Sequence, residues 1–82
     1  MGKVAVRFFA RYAELAVLTW QEVRLDTPTT IAEVIEHVRT VYPATQAIPP
    51  RPLVALNLRQ AKLDAVVKEG DEVALLPPFA GG

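Results

Sequence analysis

One segment of the chain, residues 30–42, carries a complete set of helix signals. Thr30 and Glu33 fit a capping box, in which a hydroxyl and a carboxylate satisfy free backbone N–H groups at the start of a helix. Apolar side chains then recur at helical spacing until Pro43 ends the pattern. They are Ile31, Val34, Ile35, Val38 and Tyr42. Because a helix with one apolar stripe covers one face of one sheet, this segment limits the fold more than any other.

The segments around this helix follow strand patterns. Val4, Val6 and Phe8 alternate with other residues, which predicts a strand over residues 3–9 with one buried face. Further strands are predicted at Trp20–Leu25, 53–58, 60–63 and Glu72–Leu76. The segments between them are predicted as a short helical turn at 11–18, an irregular connection at 44–52, and a turn at 68–71 in which Gly70 has a positive φ.

The predicted order is strand, strand, helix, strand, short strand, strand. This order indicates an α+β fold with a mixed β-sheet and one main helix packed on one face. The connection from the second strand through the helix to the third is expected to make part of the sheet parallel. A chain of 82 residues is expected to form a single domain over residues 1–82.

Composition excludes several classes of function. Nine basic residues balance nine acidic ones, whereas nucleic-acid-binding modules need positive charge to neutralise phosphates. The chain has no cysteine, so disulfides and cysteine-bound metals are excluded, and no metal site is predicted. Without a signal peptide or a membrane-spanning stretch, a cytoplasmic protein away from membranes is expected. No nucleophile and base occur in a catalytic pattern, so the chain alone is expected to catalyse nothing.

The end of the chain carries its most specific motif. Residues 69–82 contain a Gly-Asp-Glu-Val strand, the pair Pro77-Pro78 and a terminal Gly81-Gly82. This ending resembles that of molybdopterin synthase small subunits, and residues 6–10, 13–15 and 54–57 resemble other parts of the same family. The resemblance covers nearly the whole chain. It implies a ubiquitin-like β-grasp fold with a flexible tail at residues 77–82.

The resemblance also implies a sulfur-carrier cycle centred on Gly82. In such a cycle a ubiquitin-activating-like adenylyltransferase consumes ATP to adenylate the Gly82 carboxylate, and a sulfurtransferase provides sulfur to form a thiocarboxylate. The carrier itself binds no cofactor. The thiocarboxylate then enters the large subunit of molybdopterin synthase, within a heterotetramer, and donates its sulfur to cyclic pyranopterin monophosphate in molybdenum cofactor biosynthesis.

The residue types in the tail suit this chemistry. A carboxylate is a poor electrophile and must be activated before sulfur can replace one oxygen. A chain terminus can reach into another protein's active site as a thread. Gly81 and Gly82 keep that thread narrow because they have no Cβ, while Pro77 and Pro78 stiffen its base by fixing φ near −65°.

Outward-facing apolar residues predict a partner-binding patch beside the tail. Strand parity places Ala74, Leu76 and Phe9 on the outer face of the sheet, and Phe79 follows them into the tail. Residues 58–60 lack the apolar character expected of this patch. The alternative is that Phe79, or the turn at 13–18, covers Phe9 and Leu76, and the sequence supports both interpretations equally.

Two other functions use the same Gly-Gly mechanism. One is a sulfur carrier for thiamine, cysteine or tRNA thiolation, although thiamine carriers usually lack the Pro-Pro pair. The other is a ubiquitin-like modifier, which is joined to lysines through the same adenylate. A stable large-subunit partner would distinguish the molybdopterin synthase role, and lysine conjugates would distinguish the modifier.

Overall fold

The structure, a computed structural model, describes residues 1–17 and 19–78. Strands, two α-helices and a short 3₁₀ helix make up this part of the chain. Their bounds are β1 Gly2–Phe8, α1 Arg11–Ala16, β2 Trp20–Leu25, β3 Thr29–Thr30, α2 Ile31–Val41, the 3₁₀ helix Pro43–Ala47, β4 Leu53–Leu56, β5 Arg59–Ala61, β6 Val66–Val67 and β7 Glu72–Leu76.

Five strands form one sheet in the order β2-β1-β7-β4-β5. The sheet is mixed because β7 pairs with β1 in parallel and with β4 antiparallel. Strands β3 and β6 form a separate antiparallel pair. With α2 packed on one face of the mixed sheet, the predicted α+β class is confirmed, and the arrangement is the ubiquitin-like β-grasp.

The hydrophobic core lies between α2 and the inner face of the sheet. Val4, Val6 and Phe8 are at most 3% exposed, as their alternation predicted. The helical stripe is buried from Ile31 to Val38 and ends at the half-buried Tyr42. Burying each large aliphatic side chain contributes about 1.5–3 kcal/mol, so this one contact holds most of the fold together.

The start of α2 forms only half of the predicted capping box. The Thr30 hydroxyl accepts a hydrogen bond from the backbone N–H of Glu33 at 3.2 Å. The Glu33 carboxylate accepts the Thr30 hydroxyl at 3.4 Å, whereas a full capping box has it bind the Thr30 backbone N–H. Thr30 belongs to β3 and pairs with Val66, so its backbone is already held in a strand.

The predicted parallel pairing occurs between different strands from those expected. Strands β2 and β4, which flank α2, run in the same direction but are separated by β1 and β7. The parallel neighbours are instead the first and last strands, β1 and β7. A sequence pattern indicates that two strands joined through a helix run in the same direction. It does not show which strands become neighbours, and here β1 and β7 lie between β2 and β4.

Three local predictions also change. The third strand ends at Leu56 rather than at 58, because Asn57 and Leu58 have φ values of 51° and 72° and turn the chain into β5. The connection at 44–52 begins within a 3₁₀ helix, where the buried Thr45 hydroxyl donates to the carbonyl of Tyr42 at 2.6 Å. Strands β3 and β6 were not predicted, since two residues each are too few to show a period.

Candidate functional site

The described chain ends at Pro78, directly after the central strand of the sheet. Strand β7 has β1 on one side and β4 on the other: Leu75 pairs with Phe8 of β1, and Leu76 pairs with Leu53 of β4. The N–H of Phe9 donates to the carbonyl of Leu75 at 3.3 Å and continues the β1–β7 ladder to this point. The predicted roles of Phe79, Gly81 and Gly82 fall outside the described residues and stay predictions.

A groove of about 920 Å³ opens on the outer face of the sheet beside Pro77 and Pro78. We call it the tail-base groove. Most of its lining side chains are apolar, and Arg11 is the charged one among them. The lining residues are Ala10, Arg11, Tyr12, Leu15, Ala47, Pro49, Leu53, Ala55, Leu58, Gln60, Leu76, Pro77 and Pro78. A concave apolar surface of this size suits the binding of a partner.

The shape of the groove follows from small residues at the centre of the outer face. Ala55 on β4 lines the groove and pairs with Ala74 on β7, and its small side chain leaves a low floor. The neighbouring pair, Leu53 and Leu76, is larger and stands beside them. Helix α1 and the 3₁₀ helix contact each other and form one wall, while the β4–β5 turn carries Leu58 on the other.

The exposure predicted for the patch is observed in part, and its partner-binding role stays a prediction. Phe9 is 37% exposed and Leu76 is half-buried, both on the outer face. The described part of the turn at 13–18 therefore leaves a third of Phe9 accessible. The prediction that Ala74 is exposed is wrong, because Ala74 is only 4% exposed.

Ala74 faces outward by strand parity but is shielded by its neighbours. It pairs with Arg7 on β1, and the Arg7 Nε forms an ion pair with the Glu72 Oε2 at 3.5 Å. Glu72 lies two residues before Ala74 on the same face of β7, so the long Arg7 side chain leans along the strand. A methyl group beside such a side chain loses contact with water even on an outer face.

Sequence reasoning missed three exposed apolar residues on this side of the molecule. Leu53 is 42% exposed, Trp20 is 49% exposed and Leu58 is 82% exposed. Residues 58–60 were not expected to join the patch, yet Leu58 and Gln60 both line the tail-base groove. Leu58 offered a signal, because a two-residue hairpin turn with positive φ favours Asn-Gly and not a leucine at its second position.

A hydrogen-bond network holds this turn against the start of β7. The Asn57 side-chain amide donates to the Asp71 Oδ1 at 3.0 Å, and its oxygen accepts from the backbone N–H of Glu72 at 2.8 Å. The backbone N–H of Asn57 donates to the Glu72 carbonyl at 2.8 Å. These bonds position Leu58 at the rim of the groove.

The pKa of the Asp71 carboxyl group is lowered by its hydrogen bonds. Its Oδ2 accepts a hydrogen bond from the backbone N–H of Lys68 at 2.8 Å. This bond is the main cause of a pKa below the usual 3.8, with the Asn57 amide contributing and partial burial opposing. The carboxylate is therefore a structural acceptor that closes the turn around Gly70, whose φ is 89° as predicted.

The described residues bring together no cluster of three or more His, Asp or Glu side chains that could hold a metal ion. Over the same part of the chain, no helix has the length and apolar character needed to cross a membrane. The candidate site is the apolar tail-base groove, which lies where the described chain leaves the sheet.

Comparisons with known proteins agree with this picture. A model of the ThiS family matches residues 6–82. The molybdopterin synthase sulfur carrier subunit of Mycobacterium tuberculosis is 32% identical over 83 residues, covering 100% of both chains. The crystal structure of SAMP1 from Haloferax volcanii has a TM-score of 0.84 at 27% identity and covers 99% of this chain and 100% of that one.

A fourth similarity is to a protein solved in a complex. It belongs to the complex of subunits 1 and 2 of molybdopterin-converting factor from Helicobacter pylori 26695. The TM-score is 0.69 at 23% identity, with 98% of this chain and 99% of that chain covered. At this level of identity the likeness concerns the fold.

Proposed function

This chain belongs to the ThiS family, and from that membership we propose that it is the sulfur-carrier subunit of a molybdopterin synthase. The observation that carries the proposal is the full-length similarity of this chain to the molybdopterin synthase sulfur carrier subunit of Mycobacterium tuberculosis. The working group is the carboxylate of Gly82. The chain brings this group to its partners and performs no catalysis alone.

The proposed chemistry proceeds in three steps before transfer. The Gly82 carboxylate attacks the α-phosphate of ATP on an adenylyltransferase, which releases pyrophosphate and forms an acyl-adenylate. A persulfide sulfur from a sulfurtransferase then attacks the acyl carbon and displaces AMP, which leaves an acyl disulfide between Gly82 and the sulfurtransferase cysteine. A thiol attacks the cysteine sulfur of this acyl disulfide, forms a new disulfide with it and releases the Gly82 thiocarboxylate. That thiocarboxylate donates sulfur to cyclic pyranopterin monophosphate in the large subunit.

The tail-base groove supports the proposed contact with the large subunit. Phe9, Leu53 and Leu58 are exposed apolar side chains around the point where the tail begins. A partner that covers them removes apolar surface from water and at the same time receives the tail. The complex of two subunits of molybdopterin-converting factor from Helicobacter pylori provides a precedent for such a pair in this fold.

The decisive experiment is mass spectrometry of the C-terminal peptide after incubation with ATP, a sulfur donor and the adenylyltransferase from the same organism. Replacement of one oxygen by sulfur on Gly82 is expected. The peptide must be isolated, because oxidation of Met1 adds nearly the same mass to the intact chain. An unmodified Gly82, with the enzyme active on a control carrier, would contradict the carrier role.

The large subunit and the cyclic precursor then test the acceptor. Loss of the thiocarboxylate with formation of molybdopterin is expected. A thiocarboxylate that forms but is consumed only by a thiamine, cysteine or tRNA thiolation system would identify one of the other carrier roles instead.

A second candidate function is a ubiquitin-like protein modifier. It is favoured by the similarity to SAMP1, which is described as a small archaeal modifier protein. In this role the acyl-adenylate is attacked by a lysine amine of a target, which forms an isopeptide bond and releases AMP. Lysine conjugates ending in Gly82, detected by mass spectrometry of tagged protein from cells, would establish this role.

A further inference from the structure

Strand β2 lies at an edge of the sheet with half of its backbone unpaired. It pairs with β1 on one side, and no element of the described chain pairs with the other. The N–H of Phe8 donates to the carbonyl of Thr19 at 3.0 Å. Because hydrogen bonding alternates along an antiparallel pair, Thr19 and every second residue after it face β1. The backbone groups of Trp20, Glu22 and Arg24 therefore point to the open edge.

A side-chain contact agrees with this assignment. The Gln21 side-chain amide donates to the backbone carbonyl of Glu22 at 3.0 Å, as expected for a carbonyl that β1 does not use. The opposite edge of the sheet is different, since β5 has only three residues. Short edge strands resist pairing with other chains, whereas β2 has six residues and remains available.

The charges on β2 are of opposite sign two residues apart. Glu22 and Arg24 are both exposed, and they lie on the outer face of the sheet. An edge strand whose charges serve only to repel other copies would carry charges of a single sign. An acid and a base at this spacing are instead self-complementary when a second copy runs antiparallel.

We propose that two copies of this chain pair through β2 about a two-fold axis at Val23. In this register Glu22 of each copy lies directly opposite Arg24 of the other, which makes two cross-strand ion pairs. The open N–H and C=O groups of the same residues complete the ladder. The result is one continuous sheet of ten strands, five from each copy.

Electrostatics selects this register over its neighbours. A shift that centres the axis on Glu22 places two glutamates opposite each other. A shift that centres it on Arg24 places two arginines opposite each other and sets Glu22 against Asp26. Like charges directly opposite destabilise a strand pair, so of these three registers the axis at Val23 is the favourable one. An axis at Leu25 would set Arg24 against Asp26, but Asp26 lies beyond the end of β2.

Two properties of the whole chain are compatible with this dimer. The formal net charge is zero, so two copies do not repel each other at long range. Strand β1 separates β2 from β7 and β4, so the tail-base groove stays open in the dimer. A single strand edge buries less than the roughly 1,600 Å² of a standard interface, so the dimer is expected to be weak and concentration-dependent.

The test is sedimentation equilibrium of the full chain over a concentration series that reaches about 1 mM. A reversible monomer–dimer equilibrium is expected, without larger species, because a two-fold contact closes on itself. In a dimer of Glu22→Arg or of Arg24→Glu, residues 22 and 24 carry the same charge, so both cross-strand pairs become repulsive. Each variant is expected to weaken the dimer at least about tenfold. An equimolar mixture of the two variants is expected to restore it, since every arginine then faces a glutamate.

Glu36→Arg is the matched control, because it makes the same charge change on the exposed side of α2 and is expected to leave the dimer intact. Thermal melting of each variant shows whether the domain is still folded. A chain that carries both Glu22→Arg and Arg24→Glu has its two charges exchanged, so it should dimerise as the original chain does. A chain that is monomeric across the whole series would overturn the proposal. So would a dimer that survives both single variants but is lost with Leu58→Asp, which would place the contact at the tail-base groove.

Discussion

At the residue scale, Leu58 occupies a position that the stability of the fold does not explain. It is 82% exposed and adopts a φ of 72°. A residue with a Cβ in this left-handed region costs about 1–2 kcal/mol, which glycine avoids. Since Leu58 gains little from burial, its side chain is best explained by contact with a partner at the tail-base groove.

We therefore expect Leu58→Gly to separate stability from binding. The free energy of unfolding should rise by up to about 1 kcal/mol, because relief of the positive φ exceeds the added entropy of the unfolded chain. Affinity for the large subunit should fall, because the apolar side chain is lost. Urea unfolding and titration calorimetry measure the two effects. Leu58→Ala is the control, which should weaken binding without stabilising the fold.

Phe9 provides a second test at this scale. Phe9→Asp puts a charge into the proposed interface, and the large subunit should bind at least about tenfold more weakly because the carboxylate must lose water there. The domain should still melt cooperatively because Phe9 lies outside the core cluster, although the apolar area that its ring buries predicts a lower melting temperature. Val66→Asp, at a 55% exposed position on β6, is the matched control. Loss of cooperative melting in the Phe9 variant would show that its ring belongs to the core.

At the scale of elements, the turn before β7 is held by one carboxylate. Asp71 accepts hydrogen bonds from the Lys68 backbone and the Asn57 side chain, and these bonds lower its pKa below 3.8. A carboxyl group with a lowered folded-state pKa stabilises the fold fully above its unfolded pKa. That contribution is lost as the pH falls through the folded pKa.

Stability should therefore decrease as the pH falls from about 5 to about 2, in part through Asp71. Urea unfolding at several pH values measures this slope. In Asp71→Asn the group no longer titrates, so the variant should be less stable at neutral pH and show a shallower slope. An unchanged slope would mean that other carboxyl groups account for the acid sensitivity.

At the scale of the whole molecule, the fold and the working end are separable. The core lies between α2 and the mixed sheet, and the last strand ends at Leu76. One residue added after Gly82 should leave the melting temperature unchanged, because the core residues lie between Val4 and Leu75. Thiocarboxylate formation should be abolished, because the terminal carboxylate then belongs to another residue.

A removable extension provides the control for this prediction. A protease that regenerates Gly82 as the terminus should restore sulfur transfer to the same protein sample. Sulfur transfer by the uncut, extended chain would contradict the proposed role of Gly82.

The sequence by itself determined the features that depend on neighbouring residues. Thr30 and the apolar spacing of α2 located the helix, and alternation located the buried face of β1. These patterns act within a few residues, because capping and the periods of helix and strand are local properties. The family resemblance of the tail is local in the same sense.

Only the tertiary structure decided which residues meet. It placed β1 beside β7, shielded Ala74 beside Arg7, and brought Leu58 to the same groove as Leu76 and Pro77. It also paired β3 with β6, two segments too short to carry a pattern. The face on which a side chain lies follows from the alternation of its own strand. Its exposure to a partner depends on side chains that are distant in the chain and close in space, so only the tertiary structure determines it.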